Sequence, residues 1–213
     1  FEPGGEYGDL LNGCREVGML PDVTYPGLNY GEIKHNHGEM DAALKGFMDG
    51  VIKGSKLTTA WFAGLNGILD AYLGKIPESF TYESKTFTPG SFMKELGINP
   101  DDYVLITSFS HHPFYKQFVL EVPDNWAAGS FYNLPLDEFM QVIDNSVMNG
   151  YSVGWASDMS DKGFSMKQGV AIIPEKNWNE MSEEETSKIF SGPHPEKIIT
   201  QEIRQKEFDN FST

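Results

Sequence analysis

The sequence predicts an α+β fold, from three observations. Tyr103–Thr107 (YVLIT) and Phe118–Val122 (FVLEV) are short runs of β-forming residues bounded by Pro or Asp, which read as strands. Leu136, Phe139, Met140, Ile143 and Val147 recur at the three-and-four spacing of one helical face, with Pro135 at the start and Gly150 placed for a left-handed C-cap. Tyr151–Ser157 then alternates Val153, Trp155 and Ser157 against Ser152, Gly154 and Ala156, the pattern of a third, buried strand. A helix held between strands is expected to form the core. The small residues on one face of that third strand leave room for another chain.

Upstream, Gly4 and Gly5 precede a helix from Tyr7 to about Gly18 that places Leu10, Leu11, Cys14 and Val17 on one side. Leu20–Asp41 reads as a loop rich in Pro, Gly and Tyr. Helices follow over Glu39–Lys53 and Thr59–Leu73, each ended by a glycine, Gly54 or Gly74, and are expected to form a helical hairpin. Ser79–Pro89 alternates about Glu83-Ser84 as a small β-hairpin, and Thr88-Pro89 caps a short helix that stops at Gly97. Downstream of Asp158, Gly169–Ile173 reads as another buried strand and Asn177–Ser191 as an acidic, solvated helix. Thr200 caps a last helix, QEIRQKEFDNF.

With 213 residues, the chain suits one domain or a large part of one. A net charge of -15, from 31 acidic against 16 basic residues, opposes nucleic acid and anionic membrane surfaces as partners. No apolar run approaches the roughly 20 residues a spanning helix needs. The single cysteine excludes an intrachain disulfide. Cys14 lies mid-helix in Asn-Gly-Cys-Arg-Glu, away from a helix N-terminus or an evident imidazole, and is expected to be a buried small hydrophobe.

The histidines are the remaining candidates for chemistry. His35-Asn36-His37 has Glu32, Glu39 and Asp41 nearby, but a His-x-His pair needs a third ligand in fixed geometry, so a solvated loop is expected and no metal site or other cofactor. His111 and His112 are adjacent, and neighbours in a strand face opposite ways unless the backbone turns, which Pro113 permits. A hydrogen-bonding role in a loop is expected for them, since no Gly-x-Ser-x-Gly elbow and no His-Glu-x-x-His helix supplies a nucleophile or metal frame. Trp126, Phe131 and Tyr132 read as cleft-wall or core aromatics.

Four strings carry a resemblance to a known family: PGGEYGDLL (Pro3–Leu11), TSFSHHPFYK (Thr107–Lys116), NLPLDEF (Asn133–Phe139) and VGWASD (Val153–Asp158). In order and spacing they resemble the bleomycin hydrolase and bacterial aminopeptidase C branch of the papain-like cysteine peptidases, the second string resembling the bacterial forms, since the eukaryotic ones have Asn-Asp where His111 and His112 stand. The resemblance implies a papain-like fold in which 1–213 is the central part and 26–100 a helical insertion subdomain. It implies a peptide substrate paired main chain to main chain with Gly4 and Gly5, and a pocket wall from Gly154, Ala156 and Asp158. A homo-oligomer, hexameric in that family, and a cytoplasmic setting are also implied.

The family's nucleophilic Cys and oxyanion-hole Gln precede the Gly-Gly segment, and its His and Asn follow the last helix here. The sequence holds no Gln-to-Cys-Trp segment and no Asn-Ser-Trp motif, so the catalytic groups and two of the expected partners are N- and C-terminal segments of the same polypeptide. This segment alone is expected to be inactive. Two alternatives stand beside the peptidase: a catalytically inactive papain-like binding or scaffold module, and a metal hydrolase using His35, His37, His111 or His112.

Overall fold

The computed structural model describes residues 4–157, 159–192 and 195–211. It has a mixed α+β composition, with helices and small sheets. Two compact units divide it, Phe1–Val104 with Pro123–Gly129, and Leu105–Val122 with Ser130–Thr213. The helical stretch 26–100 falls inside the first unit, which also takes in the N-terminal helix. No helix among the described residues is long and apolar enough to cross a membrane.

In the first unit α1 spans Tyr7–Glu16, and its start is tied by the Glu6 N–H donating to Asp9 Oδ2 at 2.9 Å. Cys14 is buried as expected, but Leu10 is 62% and Val17 41% exposed, so the apolar face read from the sequence is largely uncovered. The loop that follows is pinned to the end of a later helix: Asn29 donates from its backbone to Tyr72 O and from its side chain to Ala71 O. Helices α2 (Gly38–Ile52) and α3 (Ala60–Leu73) form the expected hairpin, and Gly64 of α3 admits the Phe47 ring, which any Cβ there would strike at 2.6 Å.

Strands β1 (Phe80–Tyr82) and β2 (Lys85–Phe87) pair antiparallel. Glu83 and Ser84 between them both have positive φ, as a two-residue hairpin turn with the right-handed strand twist demands. Helix α4 (Pro89–Glu95) is capped by Thr88, whose Oγ1 accepts from the Ser91 N–H. The Phe92 ring of α4 meets Phe80, Tyr82 and Phe87 edge-on, a small aromatic core that makes the hairpin and helix one packed piece.

The second unit is built on a three-stranded sheet of β3 (Ile106–Thr107), β4 (Gln117–Val119) and β5 (Ser130–Asn133). β5 is central, parallel to β3 and antiparallel to β4. Both expected strands are shorter than read: β4 stops at Val119, opposite the first residue of β5, and β3 pairs only with Tyr132 and Asn133. Phe131 and Tyr132, read as cleft-wall or core aromatics, lie within that central strand, where Phe131 is a buried core residue. Helix α5 (Leu136–Met148) follows with Gly150 left-handed beyond its end, as expected.

The third strand does not form. Tyr151–Ser157 is irregular and exposed throughout, and from Ser152 to Ser157 the backbone has no hydrogen-bond partner among the described residues. Alternation sets side-chain spacing, but a strand also requires a neighbour to take its N–H and C=O groups. For the same reason α5 is not cradled on two sides: Leu136, Phe139 and Ile143 are half-buried, while Met140 and Val147 stay exposed. The expected buried strand at Gly169–Ile173 is likewise only β7 (Val170–Ala171), paired with β6 (Phe164–Ser165) and exposed.

The acidic segment breaks in two, a 3₁₀ turn at Trp178–Glu180 and α6 (Glu183–Lys188), because Ser182 caps the second piece by accepting from the Glu185 N–H. Hydrogen bonding from the Lys176 ammonium, and then from Ser182, holds the Glu185 carboxyl well below its ordinary range, at about 2. Helix α7 (Gln201–Phe211) begins at Thr200 as expected, the Ile203 N–H reaching Thr200 Oγ1 at 3.3 Å.

Candidate functional site

Asn133, the last residue of β5, organises the second unit. Its side chain is fully buried, accepts from the Phe109 N–H at 2.9 Å, and donates to Phe109 O at 2.8 Å and His112 O at 3.0 Å. One amide thus replaces a backbone partner for a turn that leaves the sheet after β3 and returns to it at β4. Tyr115, at positive φ, closes the turn by donating its N–H to Asn133 O at 2.7 Å.

Helix α7 holds the same turn from outside. Arg204 Nε donates to Ser108 O at 2.7 Å, and its guanidinium lies 4.7 Å from the centre of the Phe109 ring. Burial lowers the Arg204 pKa, a desolvation met by the carbonyl and the aromatic face. Gln201 Oε1 accepts both the Ser108 hydroxyl and the Leu136 N–H, joining the turn to the start of α5. Gln205 Oε1 accepts from the Ser110 N–H at 2.6 Å, and Gln205 Nε2 donates to Asp209 Oδ1 at 2.7 Å.

Within this frame the backbone does turn between the paired histidines, and both imidazoles reach one carboxylate. His112 Nε2 lies 2.6 Å from Glu121 Oε1, and His111 Nε2 lies 3.2 Å from Glu121 Oε2. The rings are fixed by stacking, His111 on Phe208 and His112 on Phe118, with centroids 4.9 and 4.1 Å apart. Partial burial raises the Glu121 pKa, but hydrogen bonds from His112 and His111 outweigh it and bring the net value below ordinary. Two imidazoles and one carboxylate can relay a proton or ligate a metal; no hydroxyl or thiol nucleophile is hydrogen-bonded to either ring among the described residues.

Gly4 and Gly5 lie in the first unit, exposed, immediately before α1. Neither makes a backbone hydrogen bond among the described residues. Gly4 has φ +155, and a Cβ there would stand 2.5 Å from Asp124 Oδ1, so both conformation and space call for glycine. A Cβ on Gly5 would stand 3.1 Å from Asp9 Oδ2 and 3.8 Å from Trp126 Nε1. Trp126 is 72% exposed at the tip of a loop that Asn125 closes by bonding Gly129 through both ends of its amide. The surroundings are acidic: burial raises the Glu6 pKa, and Asp124 and Asp9 raise it further.

Of the other sequence-derived candidates, Gly154 and Ala156 lie in the exposed irregular segment rather than on a strand, and Asp158 lies outside the described residues. The His35 and His37 rings lie tilted beside one another, 5.3 Å between centroids, but join no group of three ligating side chains among the described residues. Sequence reasoning missed Asn133, Gln201, Arg204 and Gln205. The signal for Asn133 was present in the aromatic run SFYN before Leu-Pro, a β-strand ending in a side chain able to bond backbone. The α7 residues gave none, since their role depends on a turn more than 90 positions away. Compared with known proteins, the sequence matches no family model and no curated protein.

Proposed function

We propose that this chain is the central part of a papain-like cysteine peptidase, an aminopeptidase that cleaves peptide bonds through a Cys-His-Asn triad carried outside residues 1–213. The observation that carries the proposal is the Gly4-Gly5 backbone. It is exposed, free of internal partners and bare of side chains, with the exposed Trp126 indole beside it. An extended peptide laid along such a backbone gains main-chain hydrogen bonds, as in strand addition to an open edge. The resemblance of Pro3–Leu11 to the family's Gly-Gly segment points to the same pairing.

Uncovered apolar surface supports a larger whole. Leu10 of α1 in the first unit, and Val147, Met148 and Trp155 in the second, are 57–84% exposed. Surface of this kind marks places where other polypeptide packs. In such an enzyme a thiolate attacks the scissile carbonyl, and preorganised donors stabilise the oxyanion, while this chain aligns the substrate.

The test is expression of the full reading frame and assay against aminoacyl and peptidyl amide substrates. Hydrolysis that iodoacetamide abolishes is expected. A protein without amidase activity, or with activity indifferent to alkylation and lost to a metal chelator, overturns the proposal.

A further inference from the structure

We infer that His111, His112 and Glu121 form a binding site for a divalent transition metal of the zinc class, four-coordinate with one position open to water. The inference does not rest on the peptidase proposal. Two imidazole nitrogens and a carboxylate oxygen lie within 4.8 Å of one another, the only such group of three among the described residues. Imidazole and carboxylate are the ligands such an ion takes, at about 2.0–2.2 Å each, which sets ligand-to-ligand spacings near 3.4 Å. The two Glu121 contacts, 2.6 and 3.2 Å, already approach that spacing. The Glu121 side chain is 52% exposed, and binding would draw the three ligand atoms, now within 4.8 Å of one another, to that spacing.

The surroundings are those of a built site. Stacking on Phe208 and Phe118 holds the imidazole planes. Gln205 Oε1, fixed by the Ser110 N–H, lies 3.2 Å from His111 Nδ1. Gln205 Nε2 lies 3.0 Å from the same nitrogen; with Oε1 accepting the Nδ1–H, the His111 Nε2 lone pair is free for the ion, the role outer partners play for metal-bound histidines. Asp209 in turn orients Gln205. A shared ion would also relieve two imidazoles of competing for one carboxylate. Because all three ligands sit between β3 and the loop after β4, the ion would clamp that turn.

The experiment uses protein from the full reading frame, alkylated with iodoacetamide so that thiols do not bind metal, stripped with chelator and titrated with ZnCl2 by calorimetry. One equivalent binding tighter than about 100 μM is expected, weakened at least about 10-fold by His112→Asn and by Glu121→Gln, and left intact by the double change of His35 and His37 to Asn. Weaker wild-type binding, or binding that the two ligand variants leave within that factor, overturns the inference. Cobalt gives a readout that does not depend on variant folding: wild-type protein with one equivalent of Co2+ is expected to show the intense visible bands of a four-coordinate nitrogen and oxygen site. Weak octahedral absorption alone overturns it.

Discussion

Asn133→Ala is expected to destabilise the protein by about 3–4 kcal/mol, because each buried backbone group left without a partner costs about 1–3 kcal/mol. The substitution orphans the Phe109 N–H, Phe109 C=O and His112 C=O together, at a position with no solvent exposure to substitute water. Asn133→Asp keeps the shape but removes both N–H donors and places a charge in the same enclosure, so it is expected to be at least as damaging. Urea denaturation of both variants, with amide exchange at Phe109, is the measurement. Loss of protection there ahead of the global transition would locate the damage in the turn. A change below about 1 kcal/mol would mean that the amide is incidental to the turn, against the role given to it here.

On the peptidase reading proposed above, Gly5→Val is expected to lower kcat/KM of the full-length protein by about 100-fold, since misplacing a substrate by about 1 Å costs that much. The choice of Gly5 over Gly4 separates binding from folding. Gly4 sits at φ +155 against Asp124, so any side chain there strains the backbone as well as the substrate path. At Gly5 no left-handed conformation is required, and the nearest obstacles to a side chain are the Asp9 carboxylate and the Trp126 indole. The fold should therefore tolerate the change while the approach of a peptide main chain is blocked. Steady-state kinetics with a peptidyl amide, paired with a thermal melt, distinguish the two effects. Unchanged kcat/KM in a folded Gly5→Val enzyme would remove these glycines from substrate alignment.

Much of the fold was legible because it is local. The Glu83-Ser84 turn, the Thr88 cap, the glycines after α3 and α5 and the three-and-four spacing of α5 each follow from a few adjacent residues, and each is present. What failed was what required a distant partner. Val153 and Trp155 have the alternation of a strand, yet no described segment lies alongside to pair with them, and the same holds for the length of Gly169–Ile173. Conversely β5 was passed over, since SFYN is short and its strand character comes from β3 and β4 on either side.

The candidate sites divide in the same way. The glycines could be singled out by residue type, because close backbone approach is something only glycine permits. The convergence of His111 and His112 on Glu121 could not, because in a straight strand the two rings would part. Only the turn held by Asn133 and Gln205 brings them round.

The most direct measurement is a crystal structure of the full-length protein treated with a thiol-directed peptidyl inhibitor. The inhibitor main chain is expected to run antiparallel to Gly4-Gly5, with N–H and C=O groups exchanged at about 2.9 Å. An inhibitor bonded to another residue type, or lying clear of both glycines with their backbone still unpaired, would contradict the assignment of this chain to the wall of a thiol peptidase.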